Sequence, residues 1–212
     1  TPYSVNFYYS ERRKIKKITV CLMLIMCILI GNVLFSTTAS AHNGYLTWAN
    51  DAKLIGGVGS YGNHVRYFWI HSSAAEEESI IDQVRYEWVN TSSILTTSIL
   101  IRKISTQKSS VFDIYKNQIY PSLQGILGES FFFDTSNNDM GVPNADYKWT
   151  QIILNTSNFN NLSNFTKRGT ISHEFGHCMG LAHSTNPNRV MCTAETREVA
   201  SPSYVDLDTI NH

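Results

Sequence analysis

The 212-residue chain lacks an excess of basic charge, has few cysteines, and shows no internal repeat or low-complexity tract. Its 17 Lys/Arg balance 17 Asp/Glu. Five of the basic residues (Arg12, Arg13, Lys14, Lys16, Lys17) and one acid, Glu11, fall within residues 1–41, so residues 42–212 keep 12 against 16, a net charge of −4. No basic patch remains to hold nucleic acid or an anionic membrane surface. Cys21 and Cys27 lie in the same N-terminal stretch, which leaves only Cys178 and Cys192 beyond it. The 171 residues from 42 to 212 suffice for one domain with its own core, and not for two.

A long apolar run occurs once, from Ile18 to Phe35. It follows the basic region at residues 12–17 and precedes Ala39-Ser40-Ala41, a small-x-small cleavage signal. The order predicts an export signal over residues 1–41, cut after Ala41, and a secreted, extracellular product. The alternative is an uncleaved anchor, since the 18 residues of 18–35 sit at the lower edge of membrane-spanning length. The chain opens on Thr1 and stops at His212 partway through an expected final helix, as a piece of a longer protein would.

Between these ends the pattern is α/β. Val65 to His71 reads as a strand and Ser73 to Val89 as a helix, with Ile80, Ile81, Val84 and Trp88 at helical spacing and Glu76, Glu77 and Glu78 near its positive end. Thr97 to Ile104, Glu129 to Phe133 and Trp149 to Asn155 read as further strands, and Phe112 to Gly128 as loop with a short helix. The turn region Thr135 to Asp146 carries Asn137, Asn138, Asp139, Asn144 and Asp146, oxygen donors suited to calcium and equally common in turns.

The chemistry concentrates at His173-Glu174-Phe175-Gly176-His177-Cys178-Met179-Gly180-Leu181-Ala182-His183, or H-E-x-x-H-x-x-G-x-x-H. On a helix starting near Asn164 or Thr166, residues four apart share a face, so His173 and His177 can aim at one metal ion. Glu174 lies about 100° round the helix, placed to reach a water and not to be a ligand. Gly180 can take positive φ, end the helix and return His183 as a third nitrogen. Three histidines leave one tetrahedral position open, which is the coordination of a catalytic zinc. Glu195 or Glu198 as third ligand is the rival geometry, made unnecessary by Gly180 and His183. Cys178 points away from the metal; in an oxidising compartment it pairs with Cys192 to close a 15-residue loop, worth about 3 kcal/mol, or both remain buried thiols.

With Met191 eight residues past His183, the motif resembles the metzincin zinc endopeptidases, whose methionine lies under the metal. The run Gly176 to Ser184 and the tail Ser201 to Asp206 leading to Ile210 are similar to the matrixin branch of that clan. The resemblance covers residues 165–212 closely and the rest only in element order; no cysteine-switch propeptide and no second zinc cluster carry over. It implies a zincin fold: a twisted, mixed, mainly parallel five-stranded sheet, an active-site helix and a small C-terminal subdomain. It also implies one zinc ion, Glu174 as general base, Met191 as a packing floor, and a pocket wall between Thr193 and Tyr204. The segment Gly128, Glu129, Ser130, Phe131, Phe132 and Phe133 becomes the edge strand along which a peptide binds, although three phenylalanines also suit a core strand. The expected partner is a peptide or protein substrate of a monomer. An inactive metzincin that only binds is the competing function.

Overall fold

The computed structural model describes residues 40–42, 45–58, 65–90, 99–121 and 124–210. Of the export signal expected over residues 1–41, the basic region 12–17 and the apolar region 18–35 lie outside them. Among the described residues, no helix is long and apolar enough to cross a membrane.

Strands β1 (Ser40–His42) and β2 (Tyr45–Thr47) form an antiparallel hairpin, inside which the expected cleavage point after Ala41 falls. Five further strands make one sheet: β3 (Arg66–Ile70), β4 (Ile101–Lys103), β5 (Phe112–Asn117), β6 (Gly128–Phe133) and β7 (Trp149–Asn155). Their order is β4-β3-β5-β7-β6, parallel throughout except for the antiparallel edge strand β6. Helix α1 (Glu78–Val89) follows β3, a short α2 (Thr156–Phe159) follows β7, α3 (Asn164–Cys178) carries the histidine motif, and α4 (Tyr204–Ile210) closes the described chain.

The sheet is the mixed, mainly parallel one the resemblance implied, but β5 corrects the reading of residues 112–128 as loop. The strand is central and buries Asp113 and Lys116 alongside Phe112 and Ile114, so its polar residues disguised it. Lys116 is neutralised from outside the sheet. Its ammonium pairs with Glu76 and, at 2.7 Å, with Glu77, which also takes Lys167 of α3 at 2.8 Å. Glu76 and Glu77 therefore serve this buried cluster, whereas Glu78 lies in the first turn of α1, the favourable place at the helix dipole expected of all three, and also pairs with Lys103 of β4. They also begin the helix differently: residues 72–77 are a 3-10 turn capped by the His71 ring, ahead of α1.

Ile81, Val84 and Trp88 recur at helical spacing on α1 and are fully buried, and the Trp88 indole donates to Ser172 O of α3 at 3.2 Å. Phe175 of α3 packs its ring 5.9 Å from Phe68 of β3 and 6.2 Å from Phe112 of β5, seating the motif helix on the sheet. Burying such side chains contributes about 1.5–3 kcal/mol each.

Candidate metal centre and active site

Helix α3 begins at Asn164, the earlier of the two expected starts, with Ser163 as its cap: the Ser163 hydroxyl accepts from Thr166 N at 3.2 Å. It ends where Gly180 takes φ +106°. Leu181 N donates to Gly176 O at 3.0 Å and Gly180 N to His177 O at 3.1 Å, the paired bonds of a Schellman stop. Two buried side chains satisfy the last carbonyls further. Tyr147 Oη donates to Cys178 O at 2.9 Å and to His177 O at 3.2 Å, and Trp48 Nε1 to His177 O at 3.4 Å.

The stop delivers the third histidine. One potential ligand atom each from His173, His177 and His183 lies within 4.8 Å of the others, with His173 and His177 buried and His183 on the open side. His173 Nδ1 is 2.9 Å from Val190 O and His177 Nδ1 2.8 Å from Leu181 O. Donation to those carbonyls places the proton on Nδ1 and turns the Nε2 lone pair to the shared point. Burial pushes the His173 imidazole down to about 3 and His177 well below its usual value, so both stay neutral, the form that binds a metal. Three imidazoles, two of them neutral with a backbone carbonyl behind each, fit zinc.

Glu174 stands beside them, buried, with Oε2 accepting from Ser130 Oγ at 2.7 Å. Burial raises its carboxyl to about 7; the Ser130 hydrogen bond and the Arg197 charge pull the other way. Gly128 permits this approach, since a Cβ there would meet Thr170 Cγ2 at 3.2 Å and Glu174 Cγ at 3.4 Å.

Met191 is buried beneath the helix, its Sδ filling the space a Cβ on Gly176 would need and its Cε 3.1 Å from that point. The turn that holds it closes through Cys192 N to Arg189 O at 3.1 Å, and Ser184 N donates to Met191 O at 2.8 Å, tying the turn to the residue after the third ligand.

The two cysteines are free and buried, so of the two readings left open the bridge is corrected to separate thiols. Cys178 Sγ accepts from Thr150 Oγ1 at 2.9 Å, behind the helix, whereas Cys192 Sγ lies 3.1 Å from Thr196 Oγ1 in the loop. Burial lifts the Cys178 thiol to about 12, which leaves it protonated and unfit as a metal ligand. Four of the Thr135–Asp146 oxygens accept hydrogen bonds. Asn137 Oδ1 accepts from Trp149 Nε1 at 2.9 Å, Asp139 Oδ1 from Gly141 N at 2.8 Å, and Asp146 Oδ1 from Lys53 N at 3.1 Å. Asn138 donates its side-chain amide to Asp134, and Asn144 O receives Asn50 Nδ2. Among the described residues, the histidine triad is the only cluster of His, Cys, Asp or Glu with metal-ligating proximity.

Of the predicted edge strand, only part presents open backbone. Asn155 N donates to Leu127 O and Lys148 N to Phe133 O, so odd residues face β7 and even ones face outward. Phe132 O already accepts from Met140 N at 2.8 Å, leaving Gly128 and Ser130 as the outward positions without a backbone partner among the described residues. The phenylalanines pack: Phe132 lies against Trp48 and Tyr147, and Phe133 stacks on Trp149 at 3.9 Å. Phe131 is half-buried, and Glu129 is hydrogen-bonded by Tyr120.

Trp48, Tyr147 and Arg197 escaped the sequence reading because each reaches the site from another segment, and Ser130, expected only as part of the edge strand, was not linked to Glu174. Gly169 and Gly176, two glycines inside one helix, were the available signal, since interior glycine costs about 1 kcal/mol and calls for a steric reason.

A family model described as Matrixin matches residues 95–211, more than half of the chain. No curated protein matches at a significant level. Two solved structures of myroilysin align at 16% and 17% identity with TM-scores of 0.36 and 0.35, each over 56% of this chain. The aligned part covers 42% and 44% of those chains, less than half their length.

Proposed function

The chain belongs to the matrixin family of metallopeptidases, and from that premise we propose that it is a zinc-dependent endopeptidase. The observation that carries the proposal is the convergence of His173, His177 and His183 beside a buried Glu174 that is not itself a ligand. Zinc, when bound by the three imidazoles, supplies a Lewis acid that polarises the scissile carbonyl and makes water more acidic. Glu174 takes a proton from the attacking water and returns it to the leaving nitrogen, which balances the hydrolysis of one peptide bond by one water. A carboxyl shifted up to about 7 is suited to both halves of that transfer. Ser130 holds one carboxylate oxygen and leaves Oε1 for the proton. Extended substrate pairs with the outward backbone of Gly128 and Ser130, satisfying groups that the sheet leaves open.

Export through residues 1–41, with cleavage after Ala41, is part of the same proposal, and N-terminal sequencing of a culture-medium product starting at His42 tests it. The central test is zinc-loaded protein incubated with a peptide library, with cleavage sites read by mass spectrometry. Hydrolysis abolished by a chelator, restored by zinc and lost in Glu174→Ala with zinc still bound is the expected result. Cleavage at the wild-type rate by Glu174→Ala removes that residue as the base, and binding without turnover by the wild type identifies a non-catalytic relative.

A further inference from the structure

Gly169 sits one helical turn before His173 on α3, so a side chain at 169 would project on the same face as the metal ligand. There is no side chain, and Arg197 occupies its place. A Cβ on Gly169 would meet Arg197 Nη2 at 2.8 Å, Nε at 2.9 Å and Cζ at 3.1 Å, which lays the guanidinium against the bare helix backbone. The arginine arrives from the loop after Met191 and is anchored there by Nη1 donating to Cys192 O at 3.3 Å.

The group so placed is under-used. Of five N–H donors, one goes to the Cys192 carbonyl, and among the described residues no carboxylate makes an ion pair with Arg197. Its charge is felt by both Glu174 and His173, so it stands in the field of the reacting centre. The residue is half-buried, and partial dehydration strengthens any pairing it makes. A guanidinium with free, planar donors matches a carboxylate in two parallel hydrogen bonds. One helical turn is about 5.4 Å, which an acidic side chain within one or two residues of the scissile bond can span.

We propose that Arg197 is a specificity-determining residue whose guanidinium receives the side-chain carboxylate of a substrate Asp or Glu beside the scissile bond. The inference rests on the hydrolytic reading above and adds to it the chemical class of the substrate. A clamp that merely joins the loop to α3 would use the same contact with Cys192 O but would be indifferent to substrate charge.

The test is a peptide series, cut by the zinc-loaded full chain, in which each position flanking the scissile bond is in turn Glu, Gln, Lys or Leu. At one position kcat/KM for Glu should exceed that for Gln by about tenfold or more, the scale of a charge-assisted hydrogen bond. In Arg197→Gln the ratio falls to about one, in Arg197→Lys part of it survives, and in Arg197→Glu it inverts toward Lys. The Lys variant, which keeps the positive charge, retains the readout if loss of that charge unfolds the loop. Absence of an acidic preference at every position, or a Glu/Gln ratio unchanged in Arg197→Gln, overturns the proposal. Should no peptide be cut, the hydrolytic reading falls. Arg197 is then judged by equilibrium binding of the same peptides to zinc-loaded protein, where tighter binding of the Glu peptide that Arg197→Gln abolishes supports it and equal binding sinks it.

Discussion

Ser130 Oγ lies 2.7 Å from Glu174 Oε2, so the open backbone of β6 and the base on α3 meet through one hydrogen bond. A bond to a charged acceptor contributes about 1.5–3 kcal/mol, and here its use is to fix which carboxylate oxygen faces the metal side. Ser130→Ala is expected to lower kcat about tenfold while KM changes less than twofold, and Ser130→Thr, which keeps the hydroxyl, to recover most of the loss. Initial-rate kinetics decide it. A fall confined to KM would place Ser130 in substrate binding alone.

Gly176 and Met191 form a second pair whose fit is steric. Alanine is better than glycine in a helix interior by about 1 kcal/mol, so propensity alone predicts that Gly176→Ala stabilises. The new methyl would collide with Met191 Sδ, and overpacking of this sort costs about 1–3 kcal/mol. The collision prevails because the turn at Arg189–Cys192 pins the methionine. Calorimetry should show Tm lowered by several degrees at 2–4 °C per kcal/mol. Combining the change with Met191→Ala should return part of the loss; an unchanged or raised Tm in the single variant would mean that Met191 moves freely.

How much of this was legible beforehand follows from distance along the chain. The metal ligands, the base and the Gly180 stop were readable because helical geometry relates residues three to seven apart, and the structure places all of them on or just beyond α3. Strand β5 was unreadable because its buried Lys116 is made tolerable by Glu76 and Glu77, some forty residues earlier. Cys178 and Cys192 had a permissive spacing, yet spacing carries no information on direction, and the thiols point to Thr150 and Thr196. Arg197 had no local pattern at all. Its mate is an absence, the missing side chain of Gly169, and only the folded chain brings the two together.

The Lys116–Glu77–Lys167 cluster makes a prediction about acid. Burial alone would raise the Glu77 carboxyl, but hydrogen bonds from Lys116 and Lys167 outweigh it, and the net shift is below the ordinary 4.5. The native state therefore binds fewer protons than the unfolded chain as pH falls below that value. The stability from the cluster is complete above pH 4.5 and drains away as pH falls through the folded pKa. Glu77→Ala, which leaves buried Lys116 with Glu76 alone and takes its carboxylate from half-buried Lys167, should cost about 1–3 kcal/mol at neutral pH. Thermal melts followed by circular dichroism from pH 6 to pH 3 should show a steeper loss in the wild type than in Glu77→Gln. Parallel curves would show that the acid sensitivity arises elsewhere.

Zinc affinity can be separated from turnover by stability. Because the three imidazoles converge only in the folded chain, a metal held by them binds the native state and not the unfolded one. Free zinc at 1,000 times its Kd then stabilises by about 4 kcal/mol, a Tm increase of roughly 8–16 °C for a domain of this size. His173→Ala should abolish the increase, since it removes one of the ligands and the bond to Val190 O, whereas Glu174→Ala should retain it. Zinc-dependent melting of the three proteins after chelation measures the contrast directly. Equal shifts in the wild type and His173→Ala would place the metal away from the triad, and loss of the shift in Glu174→Ala would make that carboxylate a ligand instead of a base.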